Sequence, residues 1–428
     1  MGGIIMDSMV YWIWLSLACS PGSTTFGKLI KEFANAREIY EASDKAISTT
    51  IGYRTSDRSA LLDKNLDRAK EILTDCRRRG IGIMTYADEV YPESLKSIND
   101  PPVLLYYRGH LPDFNSEFFV SGVGTRRLSS YGRKNAFRIG YDLAKAGTIV
   151  VSGMAEGIDG VTMAGALAAG GTTVAVIGTG IDTCYPERHL TLAREIVKKG
   201  CVLTEFAPGT KVYKTNFPKR NRIVSGLSSA TIVFEGPEKS GALITARCAK
   251  EQGRAVYALP GNVGSSNSYA PNLLIKEGAR MCTRAEDILN DFTDKYPTKI
   301  NIFNLKDRMD VDMMGVLRDL QVSATCPDDD IFDVPRNYSN AKDKIKSIFS
   351  KPQEKVVVAE VEAKEPDEGF DKGALKLYKR IPTEGSCPIE SLVDDEMPLR
   401  IVMRHLLKLE VGGFIVMLPG ETVARKFK

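Results

Sequence analysis

Between residues 118 and 282 the chain repeats one pattern: a short apolar run rich in β-branched residues, a turn, then a stretch whose apolar positions have helical spacing. The runs are FFVSGV (118–123), TIVVSG (148–153), TVAVIG (173–178), CVLTEF (201–206), ATIVFE (230–235) and AVYALPG (255–261). They lack the polar alternation of half-exposed strands, so they are expected to be covered on both faces. Strand, turn and helix in alternation predict an α/β class with a doubly wound, mostly parallel sheet.

The flanks follow other patterns. Residues 1–79 read as a small helical domain: Trp12, Leu15 and Leu17 lie on a helix that SPGS (20–23) ends, and Phe26, Leu29, Ile30 and Phe33 mark the apolar face of the next. Helix, glycine turn, helix resembles a helix-hairpin-helix or SAM-like unit, although a plain packing module is the better reading. From residue 80 a short β-like run meets a turn-rich helix, Asp100-Pro101-Pro102 breaks the chain, and 103–107 reads as a strand. The α/β domain is thus expected over 80–292. Residues 293–366 are polar and weakly periodic, and read as a linker with at most a helix or two. Over 367–428, helices at 371–380, 388–394 and 398–410 precede a β-hairpin at 409–426, which is the order of a winged helix. In 398–410, Arg400, Arg404 and Lys408 recur every four residues as a basic stripe, with Leu399, Met403, Leu406 and Leu409 expected to face a small core.

Composition narrows the classes. The 428 residues carry a net charge of only +4, so any nucleic-acid surface must be a local patch. The apolar stretch 9–19 is too short to span a membrane, and no Lys or Arg precedes Lys28, which argues against a signal peptide and a membrane partner. Eight cysteines are scattered singly, without CxxC or Cys/His ligand spacing. That pattern speaks against a metal site and for reduced thiols in the cytoplasm. Three histidines offer little for a catalytic triad.

The densest chemistry is FPKRNR, residues 217–222, where Phe217 and Pro218 precede Lys219, Arg220, Asn221 and Arg222. Lys211 and Lys214 lie upstream, no acid interrupts 211–222, and Ile223, Val224 and Leu227 begin a helical pattern. Basic groups and an aromatic at the mouth of a helix suit a phosphate chain with exposed bases. Phe217 reads equally as a stacking platform or as a buried anchor. Glycine turns follow the strands, at the carboxyl edge where open parallel sheets bind ligands. SGVGTRR (121–127) offers Gly122, Gly124 and Arg126; SGMAEGID (152–159) opens a helix; GTGIDTCYP (178–186) follows; KSGALIT (239–245) puts Ser240 and Gly241 at a helix start. Neither GxGxxG nor a P-loop is present. A single nucleotide does not need so many anion-ready turns beside FPKRNR.

Taken in order, the motifs are YP-x2-L-x2-I-x-D-PP at 91–102, VGTR at 123–126, SG-x-A-x-GID at 152–159, YP at 185–186, TEF at 204–206, FPKRNRIVSGLS at 217–228, SGALITA at 240–246, PG at 260–261 and N-x-LI-x2-GA at 272–279. This series resembles the DNA-processing protein A (DprA, or Smf) family, strongly over about 80–282 and weakly at the termini. The resemblance implies an extended Rossmann core that binds single-stranded DNA, forms homodimers, and loads the RecA recombinase in DNA uptake and natural transformation. By the same resemblance, Arg126 and the basic groups of FPKRNR would line the DNA pocket, and Ser152 and Gly153 would contact phosphates. Two positions depart from the family: Thr162-Met163 stand where Ala-His is usual, and Glu156 where a basic residue often precedes the glycine of GID.

The expected site is therefore Gly124, Arg126, Ser152, Gly153, Lys214, Phe217, Lys219, Arg220, Asn221, Arg222, Ser240 and Gly241, holding single-stranded DNA with no catalytic residue, metal or cofactor. The alternative is a nucleotide-binding or nucleotide-hydrolysing enzyme at the same sheet edge, with Glu205 or Glu235 as general base. A strand-end glutamate that fixes a loop or caps a helix is the preferred reading of both.

Overall fold

The structure is a computed structural model that describes residues 2–305, 311–321, 371–382, 387–394, 397–411, 414–418 and 422–425. It divides into two units, Met1–Arg336 and Asn337–Lys428.

The first unit is built on a nine-stranded sheet. Its strands are β1 (Gly82–Thr85), β2 (Leu104–Gly109), β3 (Phe119–Val123), β4 (Ile149–Ser152), β5 (Thr173–Val176), β6 (Cys201–Thr204), β7 (Ala230–Val233), β8 (Ala255–Ala258) and β9 (Arg280–Met281), in the order β1-β2-β6-β5-β4-β3-β7-β8-β9. Strands β3 to β9 are parallel, and β2 and β1 extend the β6 side antiparallel. The apolar runs become β3 to β8. Every residue of β3 to β7 is buried, which is why those runs show no alternation. The chain winds from β3 outward to β6, then returns past β3 to β7, so its direction reverses between β3 and β7.

Six helices form an N-terminal layer: α1 (Gly2–Ala18), α2 (Thr25–Glu32), α3 (Ala36–Glu41), α4 (Asp44–Ile51), α5 (Arg58–Leu62) and α6 (Asp67–Arg78). The short α7 (Glu93–Lys96) follows β1, and the strand crossovers carry α8 (Ser130–Lys145), α9 (Ile158–Ala168), α10 (Leu190–Lys199), α11 (Asn216–Gly226), α12 (Gly241–Glu251) and α13 (Tyr269–Lys276). Neighbouring strand residues point to opposite faces. Val150 belongs to the core cluster of Phe137 and Val161 of α8 and α9, whereas Val151 belongs to the cluster on the other face with Ile223 and Leu243 of α11 and α12.

Two boundaries differ from the sequence reading. The N-terminal layer does not own its core. Trp12, Ile13, Leu15, Phe26 and Leu29 join one apolar cluster with Leu104, Tyr106, Val202 and Ile196 of the sheet side. An amphipathic pattern marks the buried face of a helix but not what covers it, so a boundary at 79 does not divide the packing. The expected linker also begins too early. Helices α14 (Glu286–Leu289) and α15 (Met313–Gln321) flank a segment whose Ile300 is buried, as is Leu317 of α15. Asn301 N–H donates to Ala146 O at 2.9 Å, which fastens this segment to the end of α8. Residues 293–305 and 311–321 therefore belong to the α/β unit; 322–366 lie outside the described residues.

The second unit holds helices Lys372–Tyr378 and Leu399–Val411, a 3-10 turn Ile389–Leu392, and an antiparallel sheet of β10 (Cys387–Pro388), β11 (Ile415–Leu418) and β12 (Thr422–Arg425) in the order β10-β12-β11. Leu377, Ile381, Ile389, Val402, Leu406, Leu409 and Val423 form its core. Leu406 and Leu409 are buried as expected, but Leu399 and Met403 are exposed. Val402, His405, Leu406 and Leu409 make the inward stripe instead. Leu399 is the first residue of the helix, and Met403 stands on its flank. In the basic stripe Arg404 is exposed, and Lys408 Nζ donates to Asp371 Oδ2 at 2.6 Å. The Arg400 side chain is outside the described residues.

Helices α8 and α9 approach closely through glycines. A Cβ on Gly165 would stand 2.2 Å from the Phe137 carbonyl, and one on Gly140 2.3 Å from that of Thr162. Gly165→Ala is expected to cost about 1–3 kcal/mol, as overpacking does. The urea midpoint measures this, and an unchanged midpoint would contradict the close crossing.

Candidate nucleic-acid interface

The stretch FPKRNR forms the first two turns of α11 rather than a loop in front of it. Pro218 is tolerated there because the first helical N–H groups have no partner within the helix. Residues two apart on a helix point about 200° apart. Arg220 and Arg222 therefore leave α11 on opposite sides, and both are buried, at 4% and 5% exposure. Arg220 reaches the carboxyl ends of β4 and β5. Its Nη1 donates to Gly153 O at 2.7 Å and to Val176 O, and the Asp159 carboxylate supplies the opposing charge. Burial pushes the Arg220 guanidinium down to about 10. Arg222 reaches the other way, to Glu205 Oε2 at 2.7 Å and Asp100 Oδ2 at 3.0 Å. Burial alone would lower the Arg222 guanidinium, but Glu205 and Asp100 hold it above its ordinary value. Both arginines are thus committed to protein partners.

What faces outward is different. Arg126, Gly153, Ala155, Glu156, Gly178, Tyr185, Pro186 and Phe217 line a cleft of about 50 Å³ at the carboxyl ends of the strands. That is far below the roughly 300 Å³ at which sites that enclose a small molecule begin. It suits a chain passing across a rim. The exposed Arg126 guanidinium lies 5.4 Å from the Phe217 ring centroid, and the Tyr185 ring is 5.4 Å from Phe217 at 39°. Phe217 is half-buried, with one side against Gly178, where a Cβ would come within 3.1 Å of the ring.

The loop between β4 and α9 is fixed from below. Gly153 has no room for a side chain, since a Cβ would lie 2.3 Å from Arg220 Nη2. Its N–H donates to Asp159 Oδ2 at 3.1 Å. Burial pushes the Asp159 carboxyl up, and the Arg220 charge opposes this. Met154 takes a positive φ of 52°, and its carbonyl accepts from His189 Nδ1 at 2.9 Å. Burial lowers the His189 imidazole pKa. Ser152 is wholly buried and donates from Oγ to Gly122 O at 2.7 Å.

The expected residues therefore sort by position. Arg126, Gly153 and Phe217 meet at the cleft. Lys214 and Lys219 are exposed along the same stretch of chain. Arg220, Arg222 and Ser152 lie behind the surface, which corrects the expectation that both arginines line the pocket. Gly124 packs against Ile158, where a Cβ would come within 2.5 Å. Asn221 is half-buried and donates from Nδ2 to Gly241 O at 3.4 Å, and Ser240 caps α12 by accepting from Ala242 N–H. None of these last four residues lines the cleft. Tyr185 does line it and was missed as a site residue. Its signal was an aromatic directly after the glycine turn of β5.

The two glutamates have structural partners. Glu205 is held by Arg222. Glu235, at the end of β7 beside the point where the winding reverses, accepts from Ser129 N–H at 2.9 Å and from Ser129 Oγ at the start of α8. A carboxylate thus occupies the helix N-terminus where a nucleotide-binding fold of this winding places phosphate.

Removing one member of a buried ion pair leaves the other uncompensated. Arg222→Ala should lose about 3–5 kcal/mol, because Glu205 and Asp100 stay behind unpaired. The exposed Arg126→Ala should stay within about 0.5 kcal/mol of the parent. Urea denaturation separates the two, and equal stabilities would contradict these placements.

A family model described as DNA recombination-mediator protein A matches residues 82–293. The DNA processing protein DprA of Bacillus subtilis is 39% identical over 224 residues, covering 52% of this chain and 75% of that protein. Protein Smf of Escherichia coli is 42% identical over 204 residues, covering 47% and 54%. The X-ray structure of DprA from Streptococcus pneumoniae superposes with a TM-score of 0.58 at 32% identity, over 66% of this chain and 96% of that one. With its sheet order, its series of motifs and these relatives, the chain belongs to the DNA-processing protein A (DprA/Smf) family.

Proposed function

We propose that this protein binds single-stranded DNA without breaking a bond, protecting exposed or incoming strands and loading the RecA recombinase on them in recombination and DNA uptake. The observation that carries the reading is the cleft rim, where an exposed guanidinium stands against the Phe217 ring, with the Tyr185 ring beside it, over a glycine-lined floor. Arg126 offers a planar fork for phosphate oxygens. Phe217 and Tyr185 offer faces on which any base stacks. Lys214 and Lys219 continue the positive surface along the chain leading into and through the start of α11.

The enzyme reading is the weaker one. Glu205 and Glu235 are both engaged, one by Arg222 and the other by the cap of α8. Holding a single strand in this way calls for no metal or cofactor. We place the protein in the cytoplasm, as a homodimer through the α/β unit, with no membrane partner. Among the described residues, no helix is long and apolar enough to cross a membrane. The Asn337–Lys428 unit is proposed as a winged helix with an auxiliary DNA contact centred on the exposed Arg404.

Arg126→Ala should weaken binding of an oligo-dT probe, with a salt slope shallower by about 0.7 for the lost contact. Phe217→Leu should lose about 1–3 kcal/mol for the base it stacks. Fluorescence anisotropy titrations at several salt concentrations read both effects. Parental affinity and slope in both variants would refute the cleft assignment. Deleting residues 367–428 should leave binding present but weaker, and complete loss in a folded truncation would move the main site to the C-terminal unit.

A further inference from the structure

The cleft carries a charge of the wrong sign. Of its lining residues only Arg126 and Glu156 are charged, and they carry opposite signs. Glu156 stands in the loop between β4 and α9, which is pinned at both ends. Gly153 N–H is held by Asp159 on one side. On the other, Gly157 takes a φ of 83° where any Cβ would strike the Thr125 carbonyl at 2.3 Å. These contacts hold the backbone that carries Glu156 at the rim. Its Oε1 meets Arg188 Nε at 3.1 Å. Arg188 follows Tyr185 and Pro186, which line the cleft, and the adjacent His189 holds the same loop through the Met154 carbonyl.

We propose that Glu156 is an electrostatic gate on the nucleic-acid cleft and that Arg188 is an additional phosphate-binding residue which the gate holds back; the proposal rests on the reading of the cleft as a single-strand site. The pair is half-exposed, at 52% for Arg188 and 41% for Glu156. Such pairs contribute little, about 0–1 kcal/mol, so a phosphodiester that reaches the rim exchanges readily for the carboxylate. A guanidinium has five N–H donors in a fixed fork, which suits it to accept either anion. In the unliganded cleft Glu156 satisfies Arg188 and repels small anions. On a strand, with several phosphates presented together, Arg188 turns to the backbone. The consequence is selection for a polyanion over a single phosphate.

The test uses the full-length protein, an oligo-dT probe and inorganic phosphate as competitor. Glu156→Gln should raise oligo-dT affinity about twofold to fivefold, the range that a surface ion pair allows. It should also steepen the salt slope, and make inorganic phosphate a better competitor. Arg188→Ala should lower affinity, make the slope shallower by about 0.7, and abolish the gain from Glu156→Gln in the double variant. Unchanged affinity in Glu156→Gln, with Arg126→Ala still impaired, would overturn the gate and leave the cleft standing. A gain that persists undiminished without Arg188 would reduce Glu156 to simple repulsion and remove Arg188 from the site. If Arg126→Ala and Glu156→Gln both bind as the parent does, the cleft reading falls and the gate with it.

Discussion

The structure depends on two guanidinium groups that α11 buries on opposite sides. Taking such an ion out of water costs several kcal/mol even after relaxation, so each must be met by charge and by acceptors in the right places. Arg220 meets carbonyls at the ends of β4 and β5 with Asp159 beside it. Arg222 meets Glu205 at the end of β6 and Asp100 in the segment before β2. These partners come from distant parts of the sequence, and they fix where the start of α11 stands above the sheet. Phe217 is carried to the cleft by that placement, and Gly153 is required by the guanidinium beneath it. The outward surface is therefore set by buried charge.

The same use of charge recurs in the doubly wound sheet. Its reversal point lies between β3 and β7, and the helix N-terminus there is filled by the Glu235 carboxylate. The accessible chemistry has moved along the carboxyl edge to the loops after β3, β4 and β5 and to the start of α11. A narrow rim lined by aromatic, arginine and glycine residues suits contact with a continuous chain better than enclosure of a small molecule.

Much of the fold was legible because the parallel strands are buried on both faces and separated by turns and amphipathic helices, which leaves a strong local signal. The core of the N-terminal helices was not, because apolar faces such as those of Trp12 and Leu15 do not name their partner. The candidate site was legible in its backbone and less so in its side chains. Arg126 and Phe217 come together at the cleft. Arg220 and Arg222 read as surface charge because a dense basic run looks solvated until helical geometry and the partners Asp159, Glu205 and Asp100 are known. Those acids are 61, 17 and 122 residues away in sequence, and only the fold joins them.

The most direct measurement of the central claim is hydrogen exchange by mass spectrometry, with a single-stranded oligonucleotide and with the matching duplex. The cleft as described calls for slowed exchange in the loops at 153–157 and 178–189 and at the start of α11 with the single strand, and much less with the duplex. Protection confined to the C-terminal unit, or equal protection by both forms of DNA, would contradict it.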